Sequence, residues 1–143
     1  MSGDEDGVPL GKEELQRRLA HSAFIDFLNL TVLTADPAEE QVVMRAEMRP
    51  EFERLKGSGQ WHGGPIAAVI DTVGDYALVM LLGRPLPTVN FRVDYLRPAV
   101  GTALVVTAKV RRNGRLVGVV DVDVENEAGQ LVAIGRATYA TPG

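Results

Sequence analysis

His62 to Leu82 reads HGGPIAAVIDTVGDYALVMLL, and the reading of this stretch decides the fold. It is the most apolar segment of the chain, yet it holds Asp71 and Asp75. Pro65 suits the first turn of a helix, and Gly83-Arg84-Pro85 stops one. The stretch therefore predicts a helix from about Pro65 to Leu82, apolar nearly all round and so buried on most sides. A carboxylate carried into such surroundings neutralises or finds partners. Asp71 needs a reason to be there.

The segments on either side supply the wrapping. Before the helix, Val42, Met44, Ala46 and Met48 alternate with Val43, Arg45 and Glu47, the period of a strand with one buried face. Leu30, Val32 and Thr34 form a weaker partner strand across the Asp36-Pro37 turn. PEFERLKGSGQW reads as a loop. After the helix, TVNFRVDYLRP sets Val89, Phe91, Val93 and Tyr95 on one face and Asn90, Arg92 and Asp94 on the other. TALVVTAKVRR, RLVGVVDVDVEN and QLVAIGRATYA follow, joined by an Asn-Gly hairpin signal and by the ENEAGQ turn. Long strands joined by tight turns predict an antiparallel meander. Ahead of all this, Leu15, Leu19 and Ala23 share one face of an amphipathic helix. The fold class is α+β, with a curved antiparallel sheet wrapped around one long central helix. Residues 1–10 read as a flexible tail and residues 11–143 as a single domain.

Composition narrows the function. The chain has 143 residues, 45% of them hydrophobic, enough for a real core. A net charge of −4 argues against a nucleic-acid partner. Without cysteine there is no disulfide framework, thiol nucleophile or thiolate metal site. With His21 and His62 alone, a histidine-rich metal centre is not expected. The acidic N-terminus is unlike a signal peptide, and no uncharged apolar run reaches the length of a bilayer span. The expectation is a soluble cytoplasmic protein with no membrane partner.

The chemistry converges on the start of the helix. Gly63 and Gly64 let a ligand approach their N–H groups closely. The first N–H groups of a helix lack intrahelical partners and lie at the positive end of its dipole, so a carbonyl oxygen there would be polarised and an oxyanion stabilised. Asp71 lies about two turns further on, too far to act on the same atom within one chain, but a second subunit can bring its Asp71 opposite the glycines. A carboxylate serves as nucleophile or as general base on water. Each residue also has a plainer reading. The glycines can be only a tight start to the helix, His62 a cap, and Asp71 a core acid satisfied by a backbone donor. Asp75 reads as a solvated or ion-paired acid, and Trp61 as core or as a ligand platform. Thr88 and Asn90 read as strand polars. Arg97, Arg111, Arg112 and Arg115 read as surface charges, one or two of them available to phosphate.

HGGPIAAVIDTVGDYA, then TVNFRVDYLRPAVG and GQLVAIGRATY, resemble the hotdog-fold thioesterases of the phenylacetate-pathway (PaaI-like) type, from about Phe27 to Thr141. The resemblance implies a homodimer or homotetramer with sites at subunit interfaces, and an acyl-CoA substrate, less often an acyl carrier protein thioester. It implies no metal or other cofactor. Gly63 matches the residue whose N–H polarises the thioester carbonyl, His62 the motif histidine, and Asp71 the acid that acts from the other subunit. Thr88 falls where relatives carry a hydroxyl that places the water. Gly64, Trp61 and Asn90 are expected beside the substrate, with Trp61, Phe52 and Met80 as candidates to receive an aromatic or medium-length acyl group. One position departs: many relatives carry asparagine six residues before the histidine, where this chain has Lys56. Lysine donates but does not accept, so it would pair with Asp71 or meet an anionic substrate. That substitution keeps a rival in play, a non-catalytic acyl-thioester binding protein on the same fold. A hotdog hydratase or dehydratase and a purely structural oligomer are further alternatives.

Overall fold

The computed structural model describes residues 8–143. The order is α1 (Lys12–Leu19), α2 (Ala23–Phe27), β1 (Leu30–Asp36), β2 (Gln41–Ala46), α3 (Gly63–Leu82), β3 (Thr88–Tyr95), β4 (Leu104–Asn113), β5 (Val117–Asn126) and β6 (Leu131–Ala140), with a short 3₁₀ turn at Pro50–Phe52 after β2. The six strands form one antiparallel sheet in the order β1-β2-β4-β5-β6-β3. After α3 the chain crosses to the far edge to lay down β3, and β4–β6 fill the space between. The α+β class and the sheet around a central helix stand as expected. Of the tail expected at residues 1–10, residues 1–7 lie outside the described residues. Leu10 is tied down, its N–H donating to the Met80 carbonyl at 2.8 Å.

The first helix is shorter than its pattern predicts. Ser22 breaks it, because its hydroxyl oxygen accepts the Ile25 N–H and caps a separate helix. A side chain that offers the backbone such a bond favours a new N-terminus over continuation. Leu15 and Leu19 are buried as expected, but Ala23 is exposed at the start of α2.

Helix α3 begins at Gly63, two residues earlier than expected, and ends at Gly83 in the left-handed region, φ 78°. It is 20 residues long with a mean hydropathy of 1.6 over its most apolar window, by length and composition enough to cross a membrane. Instead the sheet covers most of it: Val69, Ile70, Val73, Ala77, Leu78 and Met80 have no exposed surface. Close approach of helix and sheet depends on positions without a Cβ. A Cβ at Gly74 would lie 2.5 Å from the Tyr139 hydroxyl, and one at Gly135 would lie 2.7 Å from Ile70 Cγ2. The fully buried Tyr139 uses the room at Gly74 to donate to the main-chain carbonyl of Asp71 at 2.6 Å.

The two sheet edges differ. At β1, the Gln16 side chain accepts the Val32 N–H at 2.7 Å and donates to the Leu30 carbonyl at 3.2 Å, blunting the edge. At β3, Val89, Phe91 and Tyr95 are all more than a third exposed. An uncovered apolar edge strand is a template for pairing with another chain.

Gly74→Ala is expected to lower stability by about 1–3 kcal/mol despite the better helix propensity of alanine, measured by chemical denaturation. The loss should shrink in a Tyr139→Phe background, which removes the atom the new methyl would meet. Equal losses in both backgrounds would refute the contact.

Candidate active site

The start of α3 is built by local bonds. His62 is the N-cap, and its Nδ1 accepts the Gly64 N–H at 2.9 Å. In the neutral ring this leaves the proton on Nε2. The capping reading of His62 therefore holds within the chain. The Gly64 N–H, expected beside the substrate, is committed to that cap. The Gly63 N–H has no acceptor among the described residues. The Gly63 carbonyl accepts from the Tyr95 hydroxyl at 2.6 Å, and a Cβ at Gly63 would lie 3.2 Å from that ring. Gly63 and Tyr95 line a cavity together with Arg54 and Arg97.

Asp71 lies in a different cavity, with Ser22, Phe24, Ile25, Ala68, Thr72, Asp75 and Tyr76. Its Oδ1 accepts from the Thr88 hydroxyl at 2.8 Å, so the strand that follows α3 aims the carboxylate. Eight residues of helix separate Gly63 from Asp71, about 12 Å of rise. The free N–H and the held carboxylate thus sit in separate pockets.

Of the residues expected beside the substrate, Trp61 lines the Gly63 cavity, while Phe52, Met80 and Asn90 lie away from both cavities. Trp61 is 3% exposed; it stacks on Phe52 at 5.5 Å between centroids and donates its indole N–H to the Thr102 carbonyl at 2.9 Å. Its ring packs in the core while one edge lines the Gly63 cavity; Phe52, 3% exposed, is core. Met80, with no exposed surface, is also core. Asn90 stands on the outer face of the sheet. A register irregularity between Thr88 and Asn90 lets Thr88 face the helix while Asn90 pairs across from Thr138, in a groove with Arg92, Asp121 and Arg136. Strict alternation could not have shown this, because one extra residue in a strand reverses the facing of those beyond it. Lys56 is exposed in the loop and pairs with no carboxylate among the described residues. Glu53 organises that loop by accepting the Gly57 and Gly59 N–H groups.

Asp75 is neither well solvated nor ion-paired. Its Oδ1 is buried and unpartnered. Burial, reinforced by the nearby charge of Asp71 and opposed by the Leu86 backbone N–H, raises its pKa from 3.8 to about 7. Burial likewise pushes the Tyr139 hydroxyl upward, so it stays a donor. Tyr139 and the bond of Tyr95 to Gly63 escaped the sequence reading, and Asp75 was expected as a solvated or ion-paired acid. The Tyr139–Asp71 contact spans 68 positions, and only the misfit of a second acid in an apolar helix gave a signal for Asp75.

Comparison with known proteins places this arrangement. The Thioesterase superfamily description matches residues 58–133. Human acyl-coenzyme A thioesterase 13 is 33% identical over 112 residues, covering 76% of this chain and 77% of that protein. Two solved structures share the fold. Zebrafish thioesterase superfamily member 2 has a TM-score of 0.79 at 28% identity, covering 92% of this chain and 99% of that one. The E. coli PaaI protein of the phenylacetic acid degradation operon has a TM-score of 0.75 at 26% identity, covering 92% and 96%. The chain belongs to the thioesterase superfamily, with the hotdog fold. It is a thioesterase of the PaaI-like kind.

The acid at position 75 makes stability depend on pH in a definite direction. A carboxyl whose pKa rises on folding keeps, in the folded state, a proton that the unfolded chain has lost. Stability from this group therefore falls as pH rises from 3.8 to about 7, then levels off. With allowance for its partial exposure, the full loss is on the order of 3 kcal/mol. The melting temperature of Asp75→Asn should exceed that of the wild type by a margin that widens from pH 4 to pH 7 and is constant above. A margin independent of pH would refute this assignment.

Proposed function

We propose that this protein hydrolyses acyl-CoA thioesters at sites shared between two subunits. The observation that carries the reading is the separation of Gly63 from Asp71, each in its own cavity and about 12 Å apart along one helix. One reacting carbonyl meets both groups only when they come from different chains. The bare β3 edge, next to the Thr88 that holds Asp71, supports pairing through that strand, and a tetramer of such dimers is compatible with it. Acyl-CoA as the substrate is supported by the relatives named acyl-CoA thioesterases.

In this reading the thioester oxygen accepts the Gly63 N–H of one subunit, at the positive end of α3. Asp71 of the other attacks the carbonyl carbon or takes a proton from the attacking water. Thr88 fixes the carboxylate by donating to Oδ1 and leaves Oδ2 to act. The CoA thiolate leaves and takes up a proton, from Asp71 where it acted as base or from water where it attacked. In the second case a water then hydrolyses the acyl–aspartyl anhydride, releasing the acid and restoring the carboxylate. His62 acts through the cap, which holds the first turn of α3 so that the Gly63 N–H points outward. Lys56, unpaired with Asp71, leaves the carboxylate free for this role.

The test is complementation. Asp71→Asn should cut thiol release from acyl-CoA by about 100-fold or more. Gly63→Pro, which removes the N–H at a helix position that accepts proline, should do likewise. Random mixed dimers of the two variants should regain about a quarter of wild-type activity, since half are mixed and each of those holds one intact site of two. No recovery in folded mixed dimers would place both groups in one subunit's site and overturn the shared-site reading.

Thr88→Ala and Lys56→Asn separate positioning from the rival binding-protein reading. Thr88→Ala should lower kcat by about 10-fold, with KM little changed, as for a group that aims the reacting carboxylate. If wild type releases no thiol from any acyl-CoA and Lys56→Asn does, the lysine has made a binding protein of this fold.

A further inference from the structure

The cavity that holds Asp71, a space of about 290 Å³, continues past it. A second cavity of about 320 Å³ shares Ser22, Ile25, Asp75 and Tyr76 with the first, so the two form one passage between α3 and the α1–α2 corner. Its middle is apolar in effect. Ile25, Tyr76, Val79 and Pro85 offer hydrocarbon. The Ser22 hydroxyl is occupied by the Ile25 N–H, and the unpartnered Asp75 Oδ1 is buried out of a ligand's reach. Val79 stands eight residues of helix beyond Asp71, about 12 Å, the span of an extended chain of about ten carbons.

Positive charge gathers at the far end, which Arg17, Arg18 and His21 line. Arg17 donates to Glu14 at 3.0 and 2.6 Å, and Arg18 donates to the same carboxylate at 2.7 Å. Neither arginine pairs with another carboxylate among the described residues. Two guanidinium groups therefore share one anion, and a net positive charge remains. Donors remain too. One Nη of Arg18 bonds the Gly83 carbonyl at 2.8 Å, and the other has no acceptor among the described residues. Arg17 Nη1 meets only the His21 ring, at 3.3 Å. An acyl chain ending in a methyl group would leave this charge unanswered. One ending in a carboxylate would meet planar guanidinium donors, the partners that suit its geometry. A carboxylate on a shorter chain would instead stop against hydrocarbon, where losing its water is costly.

We propose that Arg17 and Arg18 form a subsite for a terminal carboxylate, so that the passage takes dicarboxylic acyl thioesters of about ten carbons. The inference rests on the reading of Asp71 as the reacting carboxylate, which sets where the chain begins. Arg17 is the member to test. Its side chain is 62% exposed, so replacing it disturbs no packing, and without it Arg18 only balances Glu14.

The experiment measures thiol release from two matched pairs, decanedioyl-CoA against decanoyl-CoA and hexanedioyl-CoA against hexanoyl-CoA. Because the arginines are partly exposed and screened, wild type should favour decanedioyl-CoA in kcat/KM by about 5-fold. The six-carbon diacid falls short of the arginines and should be the poorer member of its pair. Arg17→Gln should bring the ten-carbon ratio to one or below, and Arg17→Lys, which keeps the charge but not the fork, should retain it in part. Each pair is also presented as non-hydrolysable CoA thioethers, with binding read as a melting-temperature shift whether or not turnover occurs. Turnover of both ten-carbon substrates with a ratio that Arg17→Gln does not move would overturn the subsite and leave the hydrolase reading standing. An equal preference for the diacid at six and at ten carbons would overturn it as well, since general attraction of anions needs no subsite. No turnover, with a ten-carbon thioether preference lost in Arg17→Gln, would overturn the hydrolase reading and uphold the subsite. Equal shifts from the two ten-carbon thioethers would overturn the subsite whatever the outcome for catalysis.

Discussion

A twenty-residue apolar helix that carries two carboxylates cannot be sealed on every side. The sheet must cover its hydrocarbon, since Val69, Ile70, Val73 and Leu78 would otherwise face water, yet it must leave the Asp71–Asp75 edge open. The strand order meets both demands. Strands β2, β4, β5 and β6 pass across the apolar side, while β3, laid at the outer edge, brings Thr88 to the rim where Asp71 emerges. The opening is thus a consequence of where the acids fall on the helix.

The fit of helix to sheet then fixes the position of the reacting group with little freedom. Tyr139 reaches beneath α3 at Gly74 and bonds the main-chain carbonyl of Asp71, while Thr88 bonds the side chain of the same residue. One residue is therefore held at its backbone by β6 and at its carboxylate by β3. Two strands that are hydrogen-bonded to each other act as a single rigid jig, so the carboxylate is placed by the sheet and not by a mobile loop. This is the preorganisation that acyl transfer requires of a base or nucleophile.

The sequence displayed this architecture unevenly. Helix α3 and strands β2, β4, β5 and β6 were legible because their apolar periods are long and their turns carry Gly, Asn or Pro. The HGG motif and Asp71 were legible because an acid in a greasy helix demands a reason. What stayed hidden depends on contacts between distant residues or on single-residue irregularities. Ser22 divides the first helix by one side-chain bond, where the apolar period alone runs on. The irregularity before Asn90 turns Thr88 toward the helix, where alternation would have set it on the outer face with Asn90. Trp61 beside the motif invites a role in binding and does line the Gly63 cavity, but its stacking on Phe52 and its bond to the Thr102 carbonyl, which bury it, could not be read from the sequence. Asp75 could be seen as an anomaly, but not that every nearby cation was already bound to another partner.

The helix start shows the same economy of donors. Four N–H groups open an α-helix without intrahelical partners, and a site that offered all of them would bind water or any anion. Here His62 takes the Gly64 N–H, and Tyr95 fixes the peptide from the other side through the Gly63 carbonyl. The next residue but one is Pro65, which has no N–H to give. Of the first three helical positions, only Gly63 keeps a free donor. A single aimed N–H suits a single carbonyl oxygen, and its direction is set by a histidine and a tyrosine that need not touch the substrate. The conspicuous histidine of the motif thus gains a physical reason for its place: it makes the glycine beside it selective.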